Sequence, residues 1–311
     1  MTVILIPALL GLAVASGWAG DRTLARSAWV QVQPAKALWA WHGLAATFLG
    51  SLAVAAVLIA HDVLERVLMT VTTVPKDQLH EAYAGPRQVD GLWNLSVLLV
   101  VALVVLSIHR SRQHRQRSLA LRAQVEQLVH RRHRSRFGEI EISPSSELYA
   151  FTFSLGGRQR SRPSVVVSEA LLTRLPAAQL DAVLAHEFSH VRRRHHRHIA
   201  FAEVVGESVR PFVALTSYVE QMRRLVEMHA DDEAASVTSD STVARALVEM
   251  SDVRTLGLAM AGGATTARIE RLLVRRDRPS SNRHASWAVG MLAGLTLIPP
   301  ASLVAPLLLV L

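Results

Sequence analysis

Four stretches of the chain are apolar over a length that predicts helices crossing a membrane. They are residues 2–18, 37–60, 92–108 and 287–311. A helix needs about 20 apolar residues to cross the hydrocarbon core of a bilayer. The first stretch has no basic residue ahead of its apolar core, which favours a retained helix over a cleaved secretory signal. The last contains Pro299 and Pro300, so we expect that span to be kinked or broken.

Composition and charge support a membrane protein and suggest its orientation. Half of the residues are hydrophobic, the mean hydropathy is +0.25 and the formal net charge is +9. The third span is followed at once by HRSRQHRQRSLALR, and dense arginine beside a span is typical of the cytoplasmic side. Counting back, the N-terminus and the acidic loop 62–90 lie outside. We expect the basic run to contact anionic lipid of the bilayer rather than nucleic acid, since no DNA-binding motif accompanies it.

Between the third and fourth spans the pattern changes to that of a small α+β domain. Apolar residues at helical spacing predict an amphipathic connecting helix over residues 118–132. The segments EIEI, YAFTF and SVVVS are rich in β-favouring residues, which predicts two or three short strands. Ser168 can then cap a helix through Leu175. Pro176 suits the first turn of the next helix, of about 20 residues, which contains LAHEFSH.

The stretch HEFSH has the spacing of a metal site on a helix. His186 and His190 are one turn apart, so their imidazoles project to the same side and can bind one zinc ion. Glu187 faces the same cleft and can take a proton from water as general base. Because the chain has no cysteine, any metal must be bound by His, Asp or Glu.

One candidate for a third ligand follows the motif directly. His196 comes six residues after His190, which is the spacing of the pattern HExxHxxGxxH. That pattern needs glycine at its middle position to turn the chain, and Arg193 stands there instead. A helix that continued through this region would carry His196 past the metal.

The second candidate lies in EMHAD, within a helix predicted over residues 218–235. Glu227 and Asp231 are four residues apart and share a face of that helix. Glu227 can complete the zinc ligands while Asp231 accepts the free imidazole N–H of a ligand, expected to be His186. We favour this gluzincin arrangement over an ordinary acidic helix face.

HEFSH followed by EMHAD resembles the HExxH and ExxAD pair of integral-membrane zinc metallopeptidases. These include the HtpX and CAAX-protease type and the BlaR/MecR antirepressor type, and the arrangement of three spans, a cytoplasmic domain and one span is closer to BlaR/MecR. The resemblance covers residues 149–276 at the level of motifs. It implies His186, His190 and Glu227 as zinc ligands, Glu187 as catalytic base and Asp231 as the residue that supports a ligand.

The same resemblance suggests a role in regulated proteolysis. It implies a bacterial origin and a protein or peptide substrate, with a winged-helix repressor as the candidate. The external penicillin-binding sensor that follows the last span in BlaR and MecR has no counterpart in the sequence, so β-lactam sensing is not expected. Two alternatives remain: quality control of membrane proteins, as for HtpX, and a catalytically silent membrane transducer whose cytoplasmic domain only binds a partner.

Together, these features predict a multi-pass α-helical membrane protein with an α+β gluzincin zinc metalloprotease domain. The predicted units are three transmembrane helices in 1–108, a basic cytoplasmic linker helix in 109–148, a cytoplasmic zinc metallopeptidase domain in 149–285, and a C-terminal transmembrane helix in 286–311.

Three further features of the domain receive simpler interpretations. The histidines that follow the motif, His195, His196 and His198, are expected to form a solvated basic helix end. Arg268 in RIERLL is expected to have a packing or surface role rather than one at the active site. SVVVS is expected to be either the edge strand that aligns a peptide or an internal strand.

Overall fold

The computed structural model of the chain is mostly helical, with one small mixed sheet. The residues it describes are 2–71, 109, 112–113, 116, 131–153, 164–209, 215, 217–251, 263–275, 289–291, 294–299 and 301. The predicted span 92–108 and most of 287–311 lie outside these residues. The number of membrane crossings therefore stays a prediction.

The N-terminal part of the chain forms two long helices. Helix α1 (Thr2–Ala19) is followed by a π-helical turn (Gly20–Leu24), the short helix α2 (Ala28–Val32) and helix α3 (Pro34–Val71). Helix α1 packs along α3, where Leu9 contacts Val54 and Ala55 in a small buried cluster. Helices are thus confirmed over the predicted spans 2–18 and 37–60.

Among the described helices, α3 has one segment that is long and apolar enough to cross a membrane, Pro34–Ile59. Length and composition do not separate a membrane span from a buried core helix, and the start of α3 is in fact buried by protein. Trp41 is fully buried, with its ring 6.0 Å from that of Tyr218 in the predicted metallopeptidase domain, and Met222 belongs to the same cluster. Helix α3 therefore joins the N-terminal helices to the domain that carries the HEFSH motif.

The sheet contains four strands among the residues that the structure describes. They are β1 (Arg131–Arg134), β2 (Glu139–Ser143), β3 (Ala150–Phe153) and β4 (Ser164–Ser168). Their order is β1-β2-β4-β3, with β2 and β4 parallel and the other two pairs antiparallel. The strand SVVVS is β4, an internal strand, and the edge strand on the side of the domain helices is β3.

The predicted connecting helix over residues 118–132 was wrong at its C-terminal end. Arg131 and Arg132 lie in β1, where they pair with Ile142 and Glu141 of β2. Backbone pairing with a neighbouring strand overrides the weak helical preference of these basic residues. Residues 118–130 lie outside the described part of the chain. The predicted linker 109–148 thus contributes two strands to the sheet.

In the described part of the chain after β4, there are six further helices. They are α4 (Glu169–Arg174), α5 (Ala177–Arg192), α6 (His195–Val209), α7 (Tyr218–Val237), α8 (Asp240–Met250) and α9 (Ala264–Arg275). The predicted cap of α4 is confirmed, because Ser168 Oγ accepts a hydrogen bond from the Leu171 N–H at 3.2 Å. Helix α7 matches the helix predicted over 218–235.

A second hydrophobic core holds the motif helix between the sheet and the later helices. It includes Val165 and Val167 of β4, Leu184 of α5 and Leu272 of α9, all of them buried. Helix α5 also packs against α7. Because both helices are fixed by this core, their side chains at the contact have little freedom to move apart.

Candidate metal centre

The helix that carries HEFSH ends two residues after the motif. Helix α5 spans 16 residues, Ala177–Arg192, rather than about 20, and Arg193 caps it. Arg194 has a φ of 54°, in the left-handed region that ordinary side chains rarely adopt. This residue turns the chain, and α6 begins at His195 in a new direction. The sequence has no glycine here that would have indicated a turn, and Arg194 makes the turn instead.

Helices α5 and α7 bring three potential ligands together. His186, His190 and Glu227 each offer one donor atom within 4.8 Å of the other two. The Nε2 atoms of His186 and His190 are 3.1 Å apart. Glu227 Oε2 lies 3.4 Å from Nε2 of His186, and Glu227 Oε1 lies 3.5 Å from Nε2 of His190.

These distances fit a tetrahedral zinc ion. Donor atoms about 2.0 to 2.1 Å from the ion at tetrahedral angles lie about 3.3 Å from one another. The observed separations of 3.1, 3.4 and 3.5 Å are close to this value, with the two that involve Glu227 ending on different oxygens of its carboxylate. Two imidazole nitrogens and one carboxylate oxygen are also a common catalytic zinc set, which leaves a fourth position for water or substrate. The donor atoms therefore fit the metal that the sequence predicts.

His186 is oriented by a buried carboxylate. Its Nδ1 lies 3.0 Å from Oδ1 of Asp231, whose side chain is completely buried. If Nδ1 donates its hydrogen to this carboxylate, Nε2 keeps the lone pair that a metal needs. Asp231 is held in turn by Arg268, whose Nε and Nη2 donate to its two carboxylate oxygens at 2.8 and 2.6 Å.

Arg268 also contacts the predicted ligand Glu227. Its Nη1 lies 3.1 Å from Glu227 Oε2. The expectation that Arg268 has a packing or surface role was wrong, because α9 places its side chain against both acidic residues of EMHAD. The sequence could not indicate this, since 36 residues separate Asp231 from Arg268 along the chain and nothing in RIERLL fixes how its helix packs.

The pKa values within this group follow from burial and charge. Although burial opposes protonation, hydrogen bonds with Asp231 and Glu227 raise the pKa of His186 to about 10. Burial tends to raise the pKa of Glu227, but the hydrogen bond to His186 and the charges of His186 and Arg268 lower it to about 2. The pKa of Asp231 is also lowered, by Arg268 and His186 against the effect of burial. Both carboxyl groups are therefore ionised at neutral pH.

Glu187 lies beside the donor atoms and is 9% exposed. Burial raises the pKa of its carboxyl group, while the neighbouring His186 and the hydroxyl of Thr152 oppose the rise. The Thr152 Oγ1 lies 2.8 Å from Glu187 Oε2 and 2.8 Å from the Glu187 carbonyl oxygen. Thr152 belongs to β3, and no pattern in the sequence indicates that this strand reaches the motif. A carboxyl group with a raised pKa is a stronger base than an ordinary glutamate and can take a proton from water more readily.

A cavity of about 720 Å³ opens over these residues. All four residues of β3 line one side of it, together with His186, Glu187 and Glu227. Helices α5 and α8 contribute apolar side chains to the lining, namely Ala182, Val183, Val243, Ala246, Leu247 and Met250. The predicted site residues are therefore accessible from an elongated space bordered by the edge of the sheet.

The histidines after the motif do not form the solvated helix end that we expected. His195 is 1% exposed, and its ring lies between two other histidines. His198 is half-buried, with its Nδ1 2.8 Å from Nε2 of His42 in α3. His196 lines the cavity but is not part of the donor cluster. The position of His196 therefore gives no support to the alternative in which His196 is the third ligand.

Comparison with known protein families agrees with this geometry. A family model described as Peptidase family M48 matches residues 114–276, slightly more than half of the chain. The chain belongs to peptidase family M48. Its members are metal-dependent peptidases, so the coarse prediction of a metallopeptidase is confirmed. The matched region starts within the segment predicted as a linker and includes all four strands.

A relative supports the same assignment over a shorter stretch. The chain is 36% identical over 77 residues to a protein from Acaryochloris marina described as a protease HtpX homolog. That stretch covers 25% of this chain and 25% of the relative, so the chain spans about a quarter of the length of the protein that it matches. No solved structure was found to match the chain.

Proposed function

We propose that the chain is a zinc-dependent endopeptidase that hydrolyses peptide bonds of a protein substrate. The observation that carries this proposal is that His186, His190 and Glu227 each place a donor atom within 4.8 Å of the other two, close enough to bind one metal ion. Membership of a family of metal-dependent peptidases supports it. Zinc is the proposed metal because it prefers tetrahedral sites with imidazole and carboxylate ligands.

Glu187 carries the proton transfers in this proposal. Zinc, when bound, supplies a Lewis acid that polarises the attacking water and the substrate carbonyl. Glu187 takes a proton from that water as general base and later delivers it to the leaving amine. Its raised pKa suits both steps, because the group must accept the proton readily and release it readily. The hydroxyl of Thr152 holds the carboxylate in place by a hydrogen bond.

Strand β3 is the proposed site for aligning the substrate. It pairs with β4 on one side, and within the described sheet its other edge has no strand partner. All of its residues line the cavity, so an extended peptide can add to this edge through backbone hydrogen bonds. The apolar lining from α5 and α8 suits hydrophobic substrate side chains on the other side of the cleft.

We further propose that the enzyme is a multi-pass protein of the cell membrane whose peptidase domain faces the cytoplasm. The apolar segment Pro34–Ile59 supports association with a bilayer, and the arginine-rich flank after residue 108 supports the orientation. A cysteine-free chain allows a direct test. An impermeant thiol reagent should label Gln78→Cys on intact cells, and it should label His114→Cys and Ser281→Cys only after permeabilisation. Labelling of Ser281→Cys on intact cells would overturn this topology.

The biological role has two candidates. Regulated cleavage of a winged-helix repressor is the first, as in BlaR/MecR, and it rests on the predicted order of three spans, a peptidase domain and one span. Quality control of membrane proteins is the second, and the similarity to a protease HtpX homolog favours it. Both roles use the same active site. A repressor substrate would give a single cleaved protein, whereas quality control would give many membrane proteins.

The substitution Glu187→Gln tests proteolysis even while the substrate is unidentified. Glutamine keeps the size of the side chain but removes its basicity, so zinc content should stay near one per chain while activity falls about 10²–10⁴-fold. The measurement compares full-length precursors and fragments across the cellular proteome in wild type, mutant and deletion strains. The matched control is Glu220→Gln, an exposed position at the start of α7.

The same experiment distinguishes an enzyme from a catalytically silent transducer. If Glu187→Gln complements the deletion strain fully and changes the cleavage state of no protein, proteolysis must be abandoned. Partner binding by the cytoplasmic domain would then be the better hypothesis. If precursors accumulate in Glu187→Gln but not in Glu220→Gln, proteolysis by this site is supported, and the number and type of the precursors distinguish the two biological roles.

A further inference from the structure

The two histidines of HEFSH are supported in different ways. His186 has the carboxylate of Asp231 at its Nδ1, which is a common partner for a metal-binding imidazole. His190 has a third imidazole at the corresponding position: its Nδ1 lies 3.0 Å from Nδ1 of His195. The rings of His190 and His195 meet edge to face, with centroids 4.9 Å apart. His195 therefore stands where the partner of a metal ligand is normally found.

The turn at Arg194 makes this contact possible. In a continuous helix, five residues correspond to a rotation of about 500°, so the side chains of His190 and His195 would point about 140° apart. The left-handed conformation of Arg194 ends α5 and redirects the chain, which brings His195 back under His190. A conformation that an arginine rarely adopts is thus retained next to the predicted metal ligands.

The hydrogen positions along this group follow from one requirement. If Nε2 of His190 binds a metal, its hydrogen is on Nδ1, so Nδ1 of His195 must accept it. A neutral His195 then carries its own hydrogen on Nε2, which lies 3.1 Å from Nδ1 of His229 in α7. His229 therefore carries its hydrogen on Nε2, and the nearby acidic group is Glu233, at 3.9 Å. Each ring donates to the next in a single direction.

We propose that His195 is the positioning residue of the predicted ligand His190, that its Nδ1 accepts the Nδ1–H of His190, and that His229 fixes the ring of His195 in the matching tautomer. This inference rests on the zinc site proposed above. His195 is not a fourth ligand in this arrangement. It contacts Nδ1 of His190, whereas the nitrogen of His190 that faces His186 and Glu227 is Nε2. Its burial, with 1% exposed, keeps water from replacing it as the acceptor.

Three substitutions separate positioning from simple packing. His195→Leu fills a similar volume but removes the acceptor, and it should weaken zinc binding about 10- to 100-fold. His195→Asn places a carbonyl oxygen close to the position of Nδ1, so it should restore the affinity to within about threefold of wild type. His229→Leu leaves His190–His195 in contact but frees the His195 tautomer, and it should have an intermediate effect. His133→Leu, at an exposed position on β1, is the control.

Zinc affinity is measured on purified full-length protein in detergent by competition with a chelator, and thermal unfolding of the metal-free variants reports on their fold. Rescue by asparagine but not leucine supports the proposal. Equal affinity of wild type, His195→Leu and His195→Asn overturns it, and so does equal weakening by leucine and asparagine in folded variants. If His195→Leu does not fold, the comparison of His195→Asn with His229→Leu decides, since the proposal requires the second to bind zinc more weakly. A wild type that binds no zinc contradicts the proposed function instead, before any variant is compared.

Discussion

The two sides of the predicted metal site are built from different chemistry. On the His186 side, Asp231, Glu227 and Arg268 form a charged group in which each member contacts another at 3.4 Å or less. On the His190 side, the contacts run through the neutral rings of His195 and His229. Both sides are held by α7, which contributes Glu227 and Asp231 to the first and His229 to the second.

The difference appears in the two motif histidines themselves. They are both largely buried and one turn apart, yet the pKa of His186 is raised to about 10, whereas burial and the charge of His186 lower the pKa of His190 to about 4. The acidic partners of His186 explain its rise. Because the ring of His190 is neutral, its Nε2 can keep a lone pair for a metal while Nδ1 carries the hydrogen. The sequence motif suggests two equivalent histidine ligands, but the structure gives them different partners: a carboxylate at His186 and an imidazole at His190.

The largest expected effect is on the shared ligand Glu227. Glu227→Ala removes one of three ligands and should reduce zinc affinity more than about 100-fold, because the metal is then bound at two points only. Zinc content after dialysis, measured by atomic emission, checks this. His196→Ala is the comparison, since His196 lines the cavity outside the donor cluster. Retention of zinc by Glu227→Ala together with its loss in His196→Ala would reverse the ligand assignment.

The next prediction tests how strongly the charged side depends on its members. Asp231→Ala leaves the guanidinium of Arg268 buried without its bidentate partner and His186 without its acceptor. Breaking a buried ion pair on one side costs about 3–5 kcal/mol in the free energy of unfolding. His195→Leu removes a neutral hydrogen bond and should cost less, about 1–3 kcal/mol. Denaturant titration followed by circular dichroism in detergent gives both values.

The double variant Asp231→Leu/Arg268→Leu provides the matched control for that comparison. Replacing both members of a buried ion pair removes the uncompensated charge, so the double variant should recover much of the stability lost in Asp231→Ala. If Asp231→Ala and His195→Leu destabilise the protein equally, the distinction between a charged and a neutral side has no energetic basis. Zinc affinity should stay reduced in the double variant, because His186 still lacks its acceptor.

The sequence contained more information about the ligands than about their supports. HEFSH and EMHAD fix two helical spacings, and the structure brings the three predicted ligand side chains into one cluster because two amphipathic helices must bury their apolar faces. The strands EIEI, YAFTF and SVVVS were also readable from composition. The order of those strands in the sheet could not be predicted from the sequence. The position of Thr152 beside Glu187 depends on that order, so it could not be predicted either.

The supports escaped prediction because each depends on a contact between distant elements or on a rare backbone conformation. Arg268 reaches the site only because α9 packs against α8 and so places this side chain beside Glu227 and Asp231 of α7. His195 contacts His190 only because Arg194 adopts a left-handed φ, for which a glycine would have been the usual signal. Helical periodicity describes neither case, since it applies within an element and not across a turn or between helices.

The smallest expected effect concerns the hydrogen bond from the Thr152 hydroxyl to Glu187, which tests whether an uncharged partner also matters at the general base. Thr152→Val keeps a β-branched side chain of nearly the same shape in β3, so the sheet should stay intact, but the hydrogen bond to Glu187 Oε2 is lost. We expect kcat to fall about tenfold, equivalent to about 1.4 kcal/mol, which lies within the usual net range for one hydrogen bond. Zinc affinity should not change. Among the described residues, the hydroxyl of Thr152 hydrogen-bonds to Glu187 and to none of the three ligand side chains. The measurement is steady-state cleavage of a peptide substrate identified from the Glu187→Gln proteome comparison, with Thr152→Ser, which retains the hydroxyl, as the control. A Thr152→Val enzyme as active as Thr152→Ser would show that the strand alone, without its hydroxyl, holds Glu187 in its working position.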